Sequence, residues 1–221
     1  MSGLRAKHKA DRHRRILEAA AELFRAAGYE GAKIEAIAAQ AEVSVGTIYN
    51  YYRNKGDILV AIVSMEVNEV LNAGRGVVAR PPANVSDAID TLLGIYIDHS
   101  LIYLSKEMWR QAMATSTQQP DSPFGQTYAA LDRALVDQTC ELVDRLKHLG
   151  LVRADADVRA AGEIIFNNMN MMFIEFVKRE AMPIAELRAA IRRQNRVLVG
   201  AIAAKPNAVE NSATRLQSEA E

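Results

Sequence analysis

One stretch, residues 34–53 (IEAIAAQAEVSVGTIYNYYR), limits the fold more than any other part of this chain. Ile34, Ile37, Ala38 and Ala41 recur at helical spacing and define one short apolar face. Ala41-Glu42-Val43 interrupts that pattern, and Ser44 is placed to cap a second helix over residues 45–52. In the second helix Ile48 and Tyr52 lie one turn apart and can pack back on the first. Small Ala38 lets the two helices cross closely, as a helix-turn-helix requires. The face left outward carries Val45, Gly46, Thr47, Tyr49, Asn50 and Tyr51. These small or hydrogen-bonding side chains suit a major groove and its flanking phosphates, so residues 45–52 read as a DNA recognition helix.

Charge supports that reading once it is partitioned. The 221 residues carry 27 Lys and Arg against 27 Asp and Glu, for a formal net charge of zero. Residues 1–60 hold 10 basic against 7 acidic side chains, and residues 61–221 hold 17 against 20. Arg5, Lys7, Lys9, Arg12, Arg14 and Arg15 crowd the first fifteen residues, a basic arm that supplies sequence-independent attraction to phosphate. His8 and His13 lie in that arm and are expected to meet solvent or phosphate.

The segments around the helix-turn-helix carry a family resemblance. ILEAAAELFRAAGYEG, IEAIAAQAEVS and VGTIYNYYRNKGDIL follow one another from Ile16 to Leu59. In order and spacing they resemble the DNA-binding head of TetR-family transcriptional regulators, with Ser-x-Gly-Thr-x-Tyr-x-Tyr-Tyr-x-x-Lys the most specific run. The side chains expected at DNA are Arg12, Arg15, Lys33, Ser44, Val45, Gly46, Thr47, Tyr49, Asn50, Tyr51 and Lys55. By the resemblance, Tyr49, Tyr51 and Lys55 match phosphate-contacting positions and Tyr52 matches a core aromatic. Two positions depart from the family pattern. Ala32 stands where Thr usually opens the helix of residues 33–41, and a lost cap costs roughly 1 kcal/mol. Glu42 stands where the turn usually has Gly, at a cost on the order of 1 kcal/mol if a left-handed conformation is needed.

The remainder reads as helix throughout. Residues 1–10 are expected to be mobile, ahead of a first helix over about 11–27 that ends at Gly28. Further helices are expected over about 57–74, 86–103, 104–115, 124–148, 156–180 and 183–203. Asn84 or Ser86, Ser122 and Asp155 serve as caps, and Pro123 and Pro183 sit in first turns. The 57–74 helix is the expected lever between head and body, with Gly74-Arg75-Gly76 and Pro81-Pro82 marking a break after it. The expected fold is all-α: a three-helix helix-turn-helix head over 1–56, a helical effector-binding and dimerisation body over 57–204, and a disordered tail over 205–221.

The body offers one candidate pocket. Tyr96, His99 and Tyr103 share a helix face, followed by Met108, Trp109 and Met113, then Phe124 and Tyr128, and further on Phe166, Asn170 and Phe173. Aromatic, methionine and isolated polar groups together line small-molecule sites, although each alone reads more often as core. The resemblance implies effector binding in the body and a dimer built on the last two helices. Ile165, Phe176, Leu187, Ile191 and Leu198, with Ile164, Ile184 and Ile202, are available for that interface.

No phosphate-binding glycine loop, metal-binding motif or redox Cys pair is present, and Cys140 reads as an inert helical thiol. The expected protein is therefore not an enzyme and has neither cofactor nor metal. Its expected partners are a palindromic double-stranded operator, a second copy of itself and a small, apolar or aromatic effector, an acyl chain among the candidates. The single cysteine, with neither a signal peptide nor a membrane span, points to a cytoplasmic protein. The resemblance implies repression as the commoner mode, with activation open. Two alternatives stay open: the same DNA-binding fold without an effector, and a helical ligand-binding bundle whose head no longer binds DNA.

Overall fold

The computed structural model describes residues 2–204, with side chains from Lys7 onward. The expected tail over 205–221 lies outside the described residues. The described residues form nine helices in order: α1 (Ser2–Gly31), α2 (Ile34–Gln40), α3 (Val45–Tyr49), α4 (Lys55–Ala79), α5 (Val85–His99), α6 (Lys106–Gln118), α7 (Pro123–His148), α8 (Val158–Lys178) and α9 (Ile184–Ile202). Among the described residues the only β-type pairing is an isolated bridge between Val152 and Ala203. The protein is all-α, an N-terminal helix-turn-helix head followed by a helical body.

Helix α1 starts earlier than expected, at Ser2, and residues 4–27 contain neither Gly nor Pro. Ala, Lys and Arg dominate residues 5–15, and these are good helix formers. The helix kinks at Gly28 (φ 76°, ψ 159°), a left-handed conformation that glycine adopts without penalty. Ile16, Leu17, Ala20 and Phe24 of α1 are buried, and α1 packs against α2, α4 and α6.

Three ends follow from caps written in the sequence. Ser44 Oγ accepts from Thr47 N–H at 3.1 Å, Asn84 Oδ1 accepts from Ser86 and Asp87 N–H at 2.8 and 3.2 Å, and Ser122 Oγ accepts from Gly125 N–H at 3.1 Å. Helix α8 is capped by Asp157 rather than Asp155, its Oδ1 accepting from Arg159 and Ala160 N–H. At the far end of α8 the buried Lys106 ammonium donates to the carbonyls of Arg179, Glu180 and Met182 at 2.7–3.0 Å. All three of its donors are thereby satisfied, which explains how a lysine is buried.

The expected break at Gly74 does not occur. Helix α4 runs through it to Ala79 because Gly74 marks a close helix crossing rather than a turn. A Cβ at Gly74 would lie 2.2 Å from Gln138 Oε1 of α7 and 2.8 Å from Leu92 Cδ1 of α5. That Gln138 is itself held, accepting from Tyr96 Oη at 2.7 Å and donating to Leu71 O at 2.8 Å. Gly74→Ala is expected to lower stability by about 1–3 kcal/mol through overpacking, although alanine is the better helix former by about 1 kcal/mol. A urea melt checks this, and a stabilised variant would contradict the crossing.

Candidate functional site

Two regions carry candidate function, one on the head and one inside the body. On the head, α3 is shorter than the expected 45–52 helix, since Val45–Tyr49 is helical and Asn50 caps it. Hydrogen bonds from Tyr51 and Tyr52 N–H to Ile48 O, both 2.9 Å, nevertheless continue the turn. Ile48 and Tyr52 are buried at 0% and 6% exposure, as the packing face of the motif requires. Ser44, Gly46, Tyr49 and Asn50 are exposed, Tyr49 at 53%, while Val45, Thr47 and Tyr51 are half-buried. Arg12, Arg15 and Lys33 are exposed on α1 and at the start of α2.

Four details of the head bear on the expectations for it. The uncapped start of α2 falls at Lys33, with Ala32 one residue upstream and buried. Glu42 does take the left-handed conformation, at φ 53°, and its carboxylate meets Arg15 at 3.3 Å. His13 is half-buried rather than free in solvent, with ring centroids 5.9 Å from Tyr51 and 5.7 Å from Tyr52. Burial is the first cause holding its pKa below the usual imidazole value, with Lys9 second. The Lys55 ammonium donates to the carbonyls of Tyr29 and Glu30, both at 2.9 Å, and sits 5.0 Å from the centre of the Tyr29 ring. Lys55 thus ties the start of α4 to the end of α1, with the Glu30 carboxylate 3.8 Å from the same ammonium.

Helix α4 is not the only link between head and body. Tyr29 N–H donates to Glu107 Oε1 of α6 at 3.2 Å, and Arg25 donates to Ile102 O. Phe124, at the start of α7, lies beside Gly56 in the first turn of α4.

Inside the body a cavity of about 60 Å³ lies between α4, α5, α6, α7 and α8. That is room for only a few water molecules. Tyr96, Trp109, Met113, Tyr128, Phe166, Asn170 and Phe173 line it, seven of the residues expected at an effector. The Trp109 and Phe173 rings meet edge-on at 5.3 Å, and Trp109 Nε1–H donates to Ser100 O at 2.6 Å. Four expected residues do not line it. Met108 is fully buried in the core, and Phe124 packs at the head–body junction. His99 and Tyr103 turn to the outer side of α4, where Tyr103 Oη donates to Glu69 at 3.1 Å. Helical spacing grouped them with Tyr96, but α5 ends at His99 and the chain then turns.

The cavity also holds two acids that pattern reading passed over, Glu66 and Asp132. Each stands on an apolar stripe, Glu66 in Leu59-Val63-Glu66-Val70 and Asp132 in Tyr128-Asp132-Leu135, and that placement was the available signal. Burial raises the Glu66 carboxyl to about 7, against opposing contributions from the His99 hydrogen bond and charge and a smaller one from the Tyr103 amide. Burial likewise raises Asp132 to about 6, with Arg133 opposing. Cys140 is buried beside Gly162, and burial pushes its thiol up, as an inert side chain requires.

The dimer residues expected on α8 and α9 need correction. Ile165, Phe176, Leu187 and Ile191 are between 0% and 2% exposed, so they build the protomer core and cannot meet a second copy. Leu198 is half-buried. Of the residues named for that interface Ile164 is exposed, and the other exposed large apolar side chains on these two helices are Met171 on α8 and Val197 on α9.

A capped two-helix motif with its outer face exposed has the geometry with which a helix-turn-helix enters a major groove. Residues 16–62 match the family model described as bacterial regulatory proteins, tetR family. The repressor KstR of Rhodococcus jostii is 29% identical over 136 residues, covering 62% of this chain and 58% of the relative's own length. In overall fold the chain is similar to a TetR-family regulator from Mesorhizobium loti, at 18% identity and a TM-score of 0.71 over 88% of this chain and 98% of that one. It is also similar to Bacillus subtilis FadR in complex with stearoyl-CoA, at 21% identity and a TM-score of 0.62 over 84% of this chain and 96% of that one. Residues 16–62 thus carry the sequence pattern of the tetR family of bacterial regulatory proteins, on a fold shared with solved members of that family. Among the described residues no helix is long and apolar enough to cross a membrane.

Two outcomes are expected. Glu66 and Asp132 have raised folded pKa values, so the native state binds more protons than the unfolded chain between about pH 4 and 7. Stability should therefore fall as pH rises through that window, and Glu66→Gln should flatten the fall when melting temperature is followed against pH. Glu42→Gly should raise stability by on the order of 1 kcal/mol by relieving the left-handed backbone, measured by denaturant melt.

Proposed function

We propose that this protein is a ligand-responsive repressor that binds a palindromic operator as a homodimer, with residues 1–56 as the reading head and 57–204 as the sensing body. DNA contacts are assigned to Tyr49, Asn50, Gly46, Thr47, Ser44, Val45 and Tyr51, with Arg12, Arg15, Lys33 and Lys55 on phosphates. The exposed Ile164, Met171 and Val197 mark the face offered to the second copy. Relatives named as repressors, and a fold neighbour holding an acyl thioester, favour repression with release by an effector.

The observation that carries the reading is the double position of α4. Its first turn is fixed to the head through Lys55, while Val63, Glu66, Val67 and Val70 further along form one wall of the cavity. A ligand larger than the present cavity must displace that wall. The ligand therefore prefers a geometry in which the two heads no longer match adjacent major grooves, and its differential affinity sets the size of the switch. The mostly apolar walls suit a small apolar or aromatic effector, or the hydrocarbon part of a larger one.

Selection of bound duplexes from a random pool, followed by salt titration, tests the operator half of the proposal. A palindrome with half-sites about one helical turn apart, and affinity falling steeply with salt, is expected. Tyr49→Phe and removal of residues 1–10 should each weaken binding. Enrichment of no sequence, or equal salt-labile binding to all, would sink the operator reading.

A further inference from the structure

The cavity carries a polar group that its own walls leave unused. Glu66 is 2% exposed and lines the cavity. Its Oε1 lies 2.8 Å from His99 Nδ1, and His99 Nε2 lies 3.2 Å from Glu69 Oε2, on the side away from the cavity. Glu66 Oε2 is buried and has no hydrogen-bond partner among the described residues. Buried polar oxygens are nearly always paired, so an unpaired one at a cavity wall points to a partner that comes from outside the chain.

Proton accounting fixes what that partner must bring. His99 stands between two carboxyl groups, and its 2.8 Å contact through Nδ1 with Glu66 Oε1 needs one proton between those two atoms. Whether it rests on the nitrogen or the oxygen, Glu66 Oε2 is left as an acceptor. The ligand must supply a donor.

Charge narrows the donor further. Met113, Tyr128, Asp132 and Asn170 line both the cavity and a groove between α6, α7 and α8, so they mark its mouth. A ligand entering there passes the carboxyl of Asp132 and reaches that of Glu66, and no Lys, Arg or His lines either space. A carboxylate or phosphate ester would meet acids with no compensating cation. An alcohol would serve the acceptor alone, whereas an ammonium serves it and also pairs with the two carboxyl groups in their ionised form, which burial otherwise disfavours. The Trp109 and Phe173 rings supply faces that favour a cation and edges that pack a hydrocarbon.

We propose that the effector is an organic amine with a compact apolar body, its N–H donating to Glu66 Oε2 and its hydrocarbon packed against Trp109 and Phe173. This rests on the effector reading above and names its ligand class. Glu66 is the anchor, Asp132 attracts the cation at the mouth, and His99 is a positioning residue that turns Oε1 away and leaves Oε2 for the ligand.

Calorimetric titration with 2-phenylethylamine, 2-phenylethanol and phenylacetate, which share a carbon framework, tests the assignment. The amine should bind about tenfold or more tightly than the alcohol, with phenylacetate weakest. Glu66→Gln should weaken the amine about tenfold or more while moving the alcohol less than about threefold, which also reports an intact cavity. Asp132→Asn should weaken the amine by a smaller factor. Equal affinity of amine and alcohol in the unaltered protein, preference for phenylacetate, no amine binding, or an unchanged amine affinity in Glu66→Gln each overturns the proposal. The amine-to-alcohol ratio decides even where the variant fails to fold. Operator affinity, read separately, keeps the two claims apart. Release of operator by a long-chain acyl thioester but not by the amine removes the amine assignment and leaves the effector reading standing. Amine binding that leaves operator affinity unchanged does the reverse.

Discussion

The continuity of α4 is the constraint on which the remaining structure depends. A helix of 25 residues spans about 37 Å at about 1.5 Å per residue, so its head end and its cavity wall move as one rigid element. Continuity requires Gly74 to remain helical, and that in turn requires α7 to come close enough for Gln138 to touch the α4 backbone. The same Gln138 accepts from Tyr96, a cavity-lining residue. One crossing therefore sets the helix spacing and orients part of the cavity wall. A glycine that lowers helix propensity is retained where backbone separation matters more than propensity.

The head is held to the body by more than this helix. Gly28 turns the end of α1 so that the Tyr29 amide reaches Glu107 of α6, and the Tyr29 carbonyl accepts from Lys55 at the start of α4. Because Trp109, two residues after Glu107, lines the cavity, α6 as well as α4 runs from the cavity to the head. Packed interiors shift between discrete arrangements rather than deform smoothly, so moving the two cavity walls apart acts on the head through two attachments at once.

How much was legible in the sequence follows from how local each signal is. Ser44, Ile48 and Tyr52 act within a few residues of one another, so the reading motif and its buried face are visible in a single string. Glu42 was visible too, since a turn that wants glycine imposes φ above zero on whatever occupies it. The pocket was visible as a composition of aromatics and methionines, but which of them converge depends on where α5 ends and how α6 crosses it. That is why Tyr96 and Trp109 line the cavity while Met108 and Phe124 do not. Glu66 and Asp132 were overlooked because acids on helices usually face water, although both interrupt apolar stripes. The residues expected at a second copy mixed two faces of α8 and α9, because both faces are apolar in sequence: Ile165 and Phe176 are buried, while Ile164, named with them, is exposed at 52%.

The small volume of the cavity bears on the direction of the switch. A space of about 60 Å³ cannot hold a molecule the size of a ring with a side chain unless its walls separate. An effector therefore loses part of its gross interaction free energy to opening the protein, and it shifts the equilibrium only by its net preference for the opened form. Apolar contact alone offsets that cost weakly, because every apolar ligand of similar size gains about the same. A buried acceptor that is satisfied only in the liganded protein adds a contribution that most competitors cannot supply. Specificity and switching then have one origin: the unpaired oxygen of Glu66 penalises the empty state, and Glu66 stands on the helix that must move for the cavity to open.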